Sequence, residues 1–141
     1  MTAAERGSMS VFVVIFSVVV FLLAGLLVDG GAAINARLRA ADIAEQGARA
    51  AADEIDIDRL RAGGRIVLRP DQEAVCRRAQ EIIDAQAVDG ARMPRCEAGD
   101  DEVTVVVSVP WKAFFLSALG FDGDEMEAGA TAGPDDGDDA P

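Results

Sequence analysis

From Gly7 to Val28 the chain carries 22 residues without a charge, reading GSMSVFVVIFSVVVFLLAGLLV. At about 1.5 Å of helical rise per residue this run spans roughly 33 Å, close to the hydrocarbon thickness of a bilayer. Nothing else in the sequence restricts the fold as much. A backbone in lipid must satisfy its own amides, so Val, Ile and Phe, mediocre helix formers in water, are forced into a helix there. A secretory h-region is usually about 7 to 15 residues long and follows a positive n-region. This run is longer, and the preceding MTAAER sets one arginine against one glutamate. An anchor is the favoured reading. The alternative is a secreted or membrane-tethered interaction domain, released if signal peptidase cleaves at the small residues of GGAAINA.

The chain beyond the run keeps a helical pattern. Asp29, Gly30 and Gly31 would ordinarily end a helix, yet apolar residues resume at helical spacing as Ile34, Leu38, Ala41, Ala48, Ala52 and Ile55. Arg37, Arg39, Asp42, Glu45 and Arg49 supply a solvated side. One helix from about Ser10 to about Ile57 is predicted, roughly 70 Å long. Asp29 is expected at the outer membrane boundary with its charge hydrated. Gly25, Gly30 and Gly31 flank it as small residues suited to packing against a neighbouring helix.

The remainder reads as a small α+β domain. DRLRAGGR is a polar break, RIVL is short and β-prone, and PDQEAVCRRAQEIIDAQAVDG is a second helix with Pro70, Asp71 and Glu73 at its start and Gly90 as its stop. On a helical wheel Val75, Cys76, Ala79, Ile82, Ile83 and Ala87 share the core face. After Gly90 the period becomes alternating. ARMPRC is a strand that Pro94 confines to an edge. EVTVVVSVP sets Val103, Val105, Val107 and Val109 on one face, and DEMEAGATA does the same with Met126, Ala128 and Ala130. The expected architecture is a long N-terminal helix, transmembrane and then extracytoplasmic, packed with a second helix on an antiparallel sheet of about three strands. The boundaries are a cytoplasmic N-terminus (1–9), a transmembrane helix (10–28), its extracytoplasmic continuation (29–57), the α+β domain (58–132) and a disordered acidic tail (133–141).

Roughly 110 residues outside the membrane make a thin core that a staple would help. Cys76 and Cys96 could provide it, tying the second helix to the first strand across a loop of about 20 residues. Two reduced, buried thiols are the reading a cytoplasmic location would favour. Residues 97–141 hold twelve acids against Lys112 alone, and the net charge of the whole chain is −12. Nucleic acid, which needs clustered Lys and Arg, is therefore excluded as a partner. With no histidine or tyrosine and no nucleophile or phosphate-loop motif, no enzyme chemistry, cofactor or small-molecule substrate is expected. The acid clusters DEIDID and FDGDE lack EF-hand spacing and read as solvated ends and turns.

VPWKAFFLSALGF, residues 109–121, is the most aromatic stretch outside the membrane run. Trp111, Phe114 and Phe115 either close the core or form a patch that contacts a partner subunit or the membrane interface.

Together ERGSMSVFVVIFSVVVFLLAGLLVDGG and RAADIAEQGARAAAD resemble the N-terminal part of the TadE/TadG-like proteins of tight-adherence (Flp) pilus systems. In that family a small pair precedes the membrane helix, an aspartate followed by glycine closes it, and an Ala- and Gln-containing segment continues it. Gly47 stands where the pattern more often has alanine. GRIVLRP, VTVVVSVP and the final AGATA are similar in arrangement to the shorter, actinobacterial-type members. The resemblance implies a pilin-like minor component or pseudopilin of a type IV-related pilus or secretion machine. It also implies a single-pass membrane protein with a cytoplasmic N-terminus, whose partners are lipid and other pilus or secretion subunits. Some relatives are cut by a prepilin peptidase after a glycine, with glutamate fifth in the mature chain. The corresponding junction here is Gly7–Ser8, with Phe12 at the fifth position.

Overall fold

A computed structural model describes residues 3–64 and 66–134, with side chains from Met9 onward. The acidic residues 135–141, and with them most of the expected disordered tail, lie outside the described residues. Helix α1 runs unbroken from Ala3 to Ala52, so Gly30 and Gly31 do not interrupt it. Among residues 9–28 only Gly25 is buried. From Ala36 onward α1 becomes the spine of a head.

That head is the predicted α+β fold. Strands β1 (Arg92–Ala98), β2 (Val103–Lys112) and β3 (Gly123–Ala132) form one antiparallel sheet in the order β1-β2-β3. Pro94 sits on the edge strand β1, where the register shifts between Arg92 and Arg95. An edge and a bulge are the places where a missing backbone N–H is tolerated. Helix α1 lies across β2 and β3, and helix α3 (Gln72–Ala85) lies beside it, next to β1. The core is formed by Val103, Val105, Val107 and Val109 against Val75, Ala79 and Ile83 of α3 and an alanine stripe on α1.

The buried stripe on α1 is Ala36, Ala40, Ala44, Ala48, Ala51 and Ala52, joined by Ile43; it bears out Ala48 and Ala52 and corrects the larger residues of the sequence reading. Ile34 and Leu38, expected to pack, are 64% and 62% exposed. A valine-covered sheet and a second helix both press on α1, and only methyl-sized side chains let the three backbones approach so closely. Gly47 belongs to this contact. A Cβ there would meet the Cδ1 and Cγ1 of Ile83 at 3.6 Å, an ordinary van der Waals distance. Gly47→Ala is therefore expected to stabilise the head by about 0.5–1 kcal/mol, by helix propensity and filled space, read as a rise in melting temperature.

Four local expectations are corrected. Helix α1 stops at Ala52 rather than Ile57, because Ile55 leaves it to form an isolated antiparallel bridge with Leu68. RIVL contributes only that bridge and no strand. The polar break contains a short helix, α2 (Ile57–Gly63). Asp56 caps it by accepting from the N–H groups of Asp58 and Arg59, and Gly64 ends it in the left-handed region at φ 66°. Helix α3 begins at Gln72 with Asp71 as its N-cap, so Pro70 precedes the helix instead of opening its first turn, and it ends at Ala85, before Gly90. Ala87 lies beyond that end, adopts φ 51° and is exposed rather than on the core face. Gly90 serves a turn at φ 74°, where a Cβ would come within 2.7 Å of Pro110.

Candidate functional site: the junction of the β2–β3 loop and helix α1

Gly25 and Asp29 are buried, whereas Leu26, Leu27 and Val28 between them are exposed. Residues four apart share one face of a helix, so a single element covers both positions. It is the connection between β2 and β3. Ala113 donates its N–H to the carbonyl of Asp122, Phe114 and Phe115 follow, and a one-turn 3-10 helix spans Leu116–Leu119 before Gly120 reverses the chain at φ 89°.

The Asp29 carboxylate receives the start of this turn. Phe114 N–H donates to Oδ1 at 2.8 Å, and Leu116 N–H donates to Oδ2 at 2.7 Å. Phe115 N–H reaches both oxygens, at 3.2 and 3.0 Å. The 3-10 helix has no side-chain cap of its own, so these are the donors that a helix start leaves without partners. An ionised carboxylate, which only accepts, is the group that suits three converging donors. Asp29 is 1% exposed, which corrects the expectation that its charge stays hydrated. Backbone N–H groups replace the water.

Gly25 completes the fit. A Cβ there would lie 2.9 Å from both Cβ and Cγ of Phe115, closer than carbon atoms approach without displacement. The Phe115 ring also meets Phe21 edge-to-face, with centroids 6.2 Å apart. Gly25 thus packs against the chain's own loop rather than a neighbouring helix, while Gly30 and Gly31 face open space.

Helix α1, with both junction residues, is also where the chain resembles known proteins. Residues 7–54 match the family model for putative Flp pilus-assembly TadE/G-like proteins. No curated protein and no solved structure matches the chain. The TadE/G-like segment takes in α1 from Gly7 to just past its end, and the match supports a role in Flp pilus assembly.

Outside the TadE/G-like segment, the aromatic stretch divides between the two readings offered for it. Phe115 turns inward onto α1, Phe114 is 76% exposed, and Trp111 is half-buried beside Phe121, with ring centroids 6.0 Å apart. The enclosed Trp111 Nε1 has no hydrogen-bond partner among the described residues. Cys76 and Cys96 are joined by a disulfide, with Cα atoms 5.9 Å apart. Gly7 and Ser8 lie within the first turns of α1, and their side-chain surroundings are outside the described residues.

The acid clusters are spent on local structure. Asp56 caps α2, Glu54 pairs with Arg69 at 3.3 Å, and Glu125 pairs with Arg92. Among the described residues no three His, Cys, Asp or Glu side chains converge as a metal ion would require.

Sequence reasoning missed the pairing of Asp29 with residues 114–116. A signal for it existed: WKAFFLSALG starts a helical turn with no Ser, Thr, Asp or Asn to cap it.

Proposed function

We propose that the chain is a non-enzymatic, single-pass, pilin-like minor component of an Flp pilus assembly or secretion machine, with its N-terminus in the cytoplasm and its head outside. One observation carries this reading. A single unbroken helix is apolar and exposed on nearly all sides for its first half and forms the spine of an α+β head for its second. A helix that is apolar all round and unpacked by its own chain has lipid or other helices as its surroundings. The disulfide supports an oxidising compartment for the head, as in exported domains.

The proposed subunit-facing surface continues out of the membrane. Leu27, Ile34 and Leu38 are 79%, 64% and 62% exposed. At about 100° per residue they fall within a narrow stripe with Gly31, on the side of α1 opposite Gly25 and Asp29. This stripe offers an apolar strip with one small gap to the helix of another subunit. Alkaline carbonate extraction tests the anchor: the chain is expected in the membrane pellet, and recovery in the supernatant would support a released domain instead. The paired change Ile34→Glu and Leu38→Glu tests the stripe. It is expected to leave the head's melting temperature and membrane retention unchanged while abolishing copurification with pilus subunits. Copurification at the wild-type level would remove the stripe from the assembly interface.

A further inference from the structure

The junction determines how deep the loop sits, and this argument rests on α1 being a membrane anchor. The charge-free run ends at Val28. Gly25 and Phe21 lie about 4.5 and 10 Å further in, at about 1.5 Å per residue. Phe115 packs on both. Since the whole run is only about as long as the hydrocarbon core is thick, a loop seated at these positions reaches below the outer boundary of the run.

Its composition and hydrogen bonding fit that depth. AFFLSALGF, residues 113–121, has no charge, and the first charges on either side are Lys112 and Asp122. Phe114 and Leu119 are 76% and 74% exposed, and the Phe114 ring meets that of Phe115, which meets the exposed Phe21. In water such a cluster is costly; against acyl chains it is favourable. Irregular backbone near lipid is tolerated only where its polar groups find partners within the protein. Here Asp29 takes the N–H groups of Phe114, Phe115 and Leu116. The N–H groups of Ala118, Gly120 and Phe121 bond to carbonyls of Phe115, Ser117 and Leu116, and the Ser117 hydroxyl donates to the Phe114 carbonyl.

We propose that residues 113–121 form a second, shallow membrane contact that dips into the outer leaflet beside α1, with Phe114 and Leu119 in the acyl-chain boundary and a lipid surface as the partner. The Asp29 carboxylate then accepts the backbone N–H groups of the loop where water is scarce. Two contacts at one depth would fix the tilt and rotation of the head, which a lone helix leaves free.

Fluorescence of the full chain in phosphatidylcholine vesicles tests this. Trp111→Phe clears the background at little cost, because the indole N–H it removes has no partner among the described residues. In that background Phe114→Trp and Leu119→Trp are made separately, with Val14→Trp inside α1 and Ala62→Trp on α2 as references. The loop tryptophans are expected to emit blue-shifted and to lose intensity in lipid brominated near the headgroup end of its chains, while Ala62→Trp stays unquenched. Water-like emission without quenching at both 114 and 119, with Val14→Trp quenched by deeply brominated lipid, overturns the loop contact and leaves the anchor standing. If Val14→Trp also escapes quenching, the anchor itself falls and the loop contact with it.

Discussion

Asp29→Ala is expected to free residues 113–121 from α1 while leaving the head folded. The three amides of Phe114, Phe115 and Leu116 lose their acceptor at a position enclosed by α1, and a buried donor left without a partner is disfavoured relative to one returned to water. The loop therefore moves. Hydrogen exchange measured by mass spectrometry on the full chain should show protection of these three amides falling by at least about tenfold, the scale of one charge-assisted hydrogen bond. Protection of β2 from Val103 to Val109 should persist, because the core there is built on the alanine stripe and on α3. Asp29→Asn is expected to follow alanine most of the way, since its amide offers one acceptor oxygen and turns a donor toward donors. Gly25→Val reaches the same state by another route, displacing Phe115 with the carboxylate intact. If Asp29→Ala leaves the three amides protected, apolar packing on Gly25 and Phe21 holds the loop alone and the carboxylate is dispensable.

The elements that read clearly in the sequence were those whose signal is local. The charge-free run carries its signal in its length and is helical as expected, and the alternating valines of β2 and alanines of β3 stand where their period of two places them. The packed face of α1 was misread for a physical reason. Periodicity arguments weight large side chains, so Ile34 and Leu38 drew attention that belonged to Ala40 and Ala44, whose value lies in being small where a sheet and a helix converge. Helix α2 was hidden because its determinants, the Asp56 cap and Gly64, bound a stretch of only seven residues whose apolar pair, Ile57 and Leu60, is too short a pattern to read, and it buries no residue. The Asp29 clamp joins residues about 85 positions apart. No window along the chain contains both halves of it.

Removing the disulfide should have the larger effect on stability. In the chain-entropy view, a bridge closing a loop of about 20 residues stabilises by about 3 kcal/mol through restriction of the unfolded chain. The paired change Cys76→Ser and Cys96→Ser is therefore expected to lower the melting temperature of the detergent-solubilised chain by roughly 12–24 °C, at about 4–8 °C per kcal/mol for a head of this size. The loss should concentrate where the bridge acts. Cys96 belongs to β1, which pairs on one side only, contains Pro94 and has a register shift between Arg92 and Arg95. Besides the disulfide, α3 meets that strand through a hydrogen bond from Gln72 Nε2 to the Ala98 carbonyl and through the shared core. Strand β1 should thus be the first to lose exchange protection, ahead of β2 and β3. Chemical reduction of the wild-type chain should give the same shift, which separates loss of the cross-link from any packing effect of serine. A serine variant melting within a few degrees of wild type would mean that the alanine stripe and the valine face hold the head together unaided.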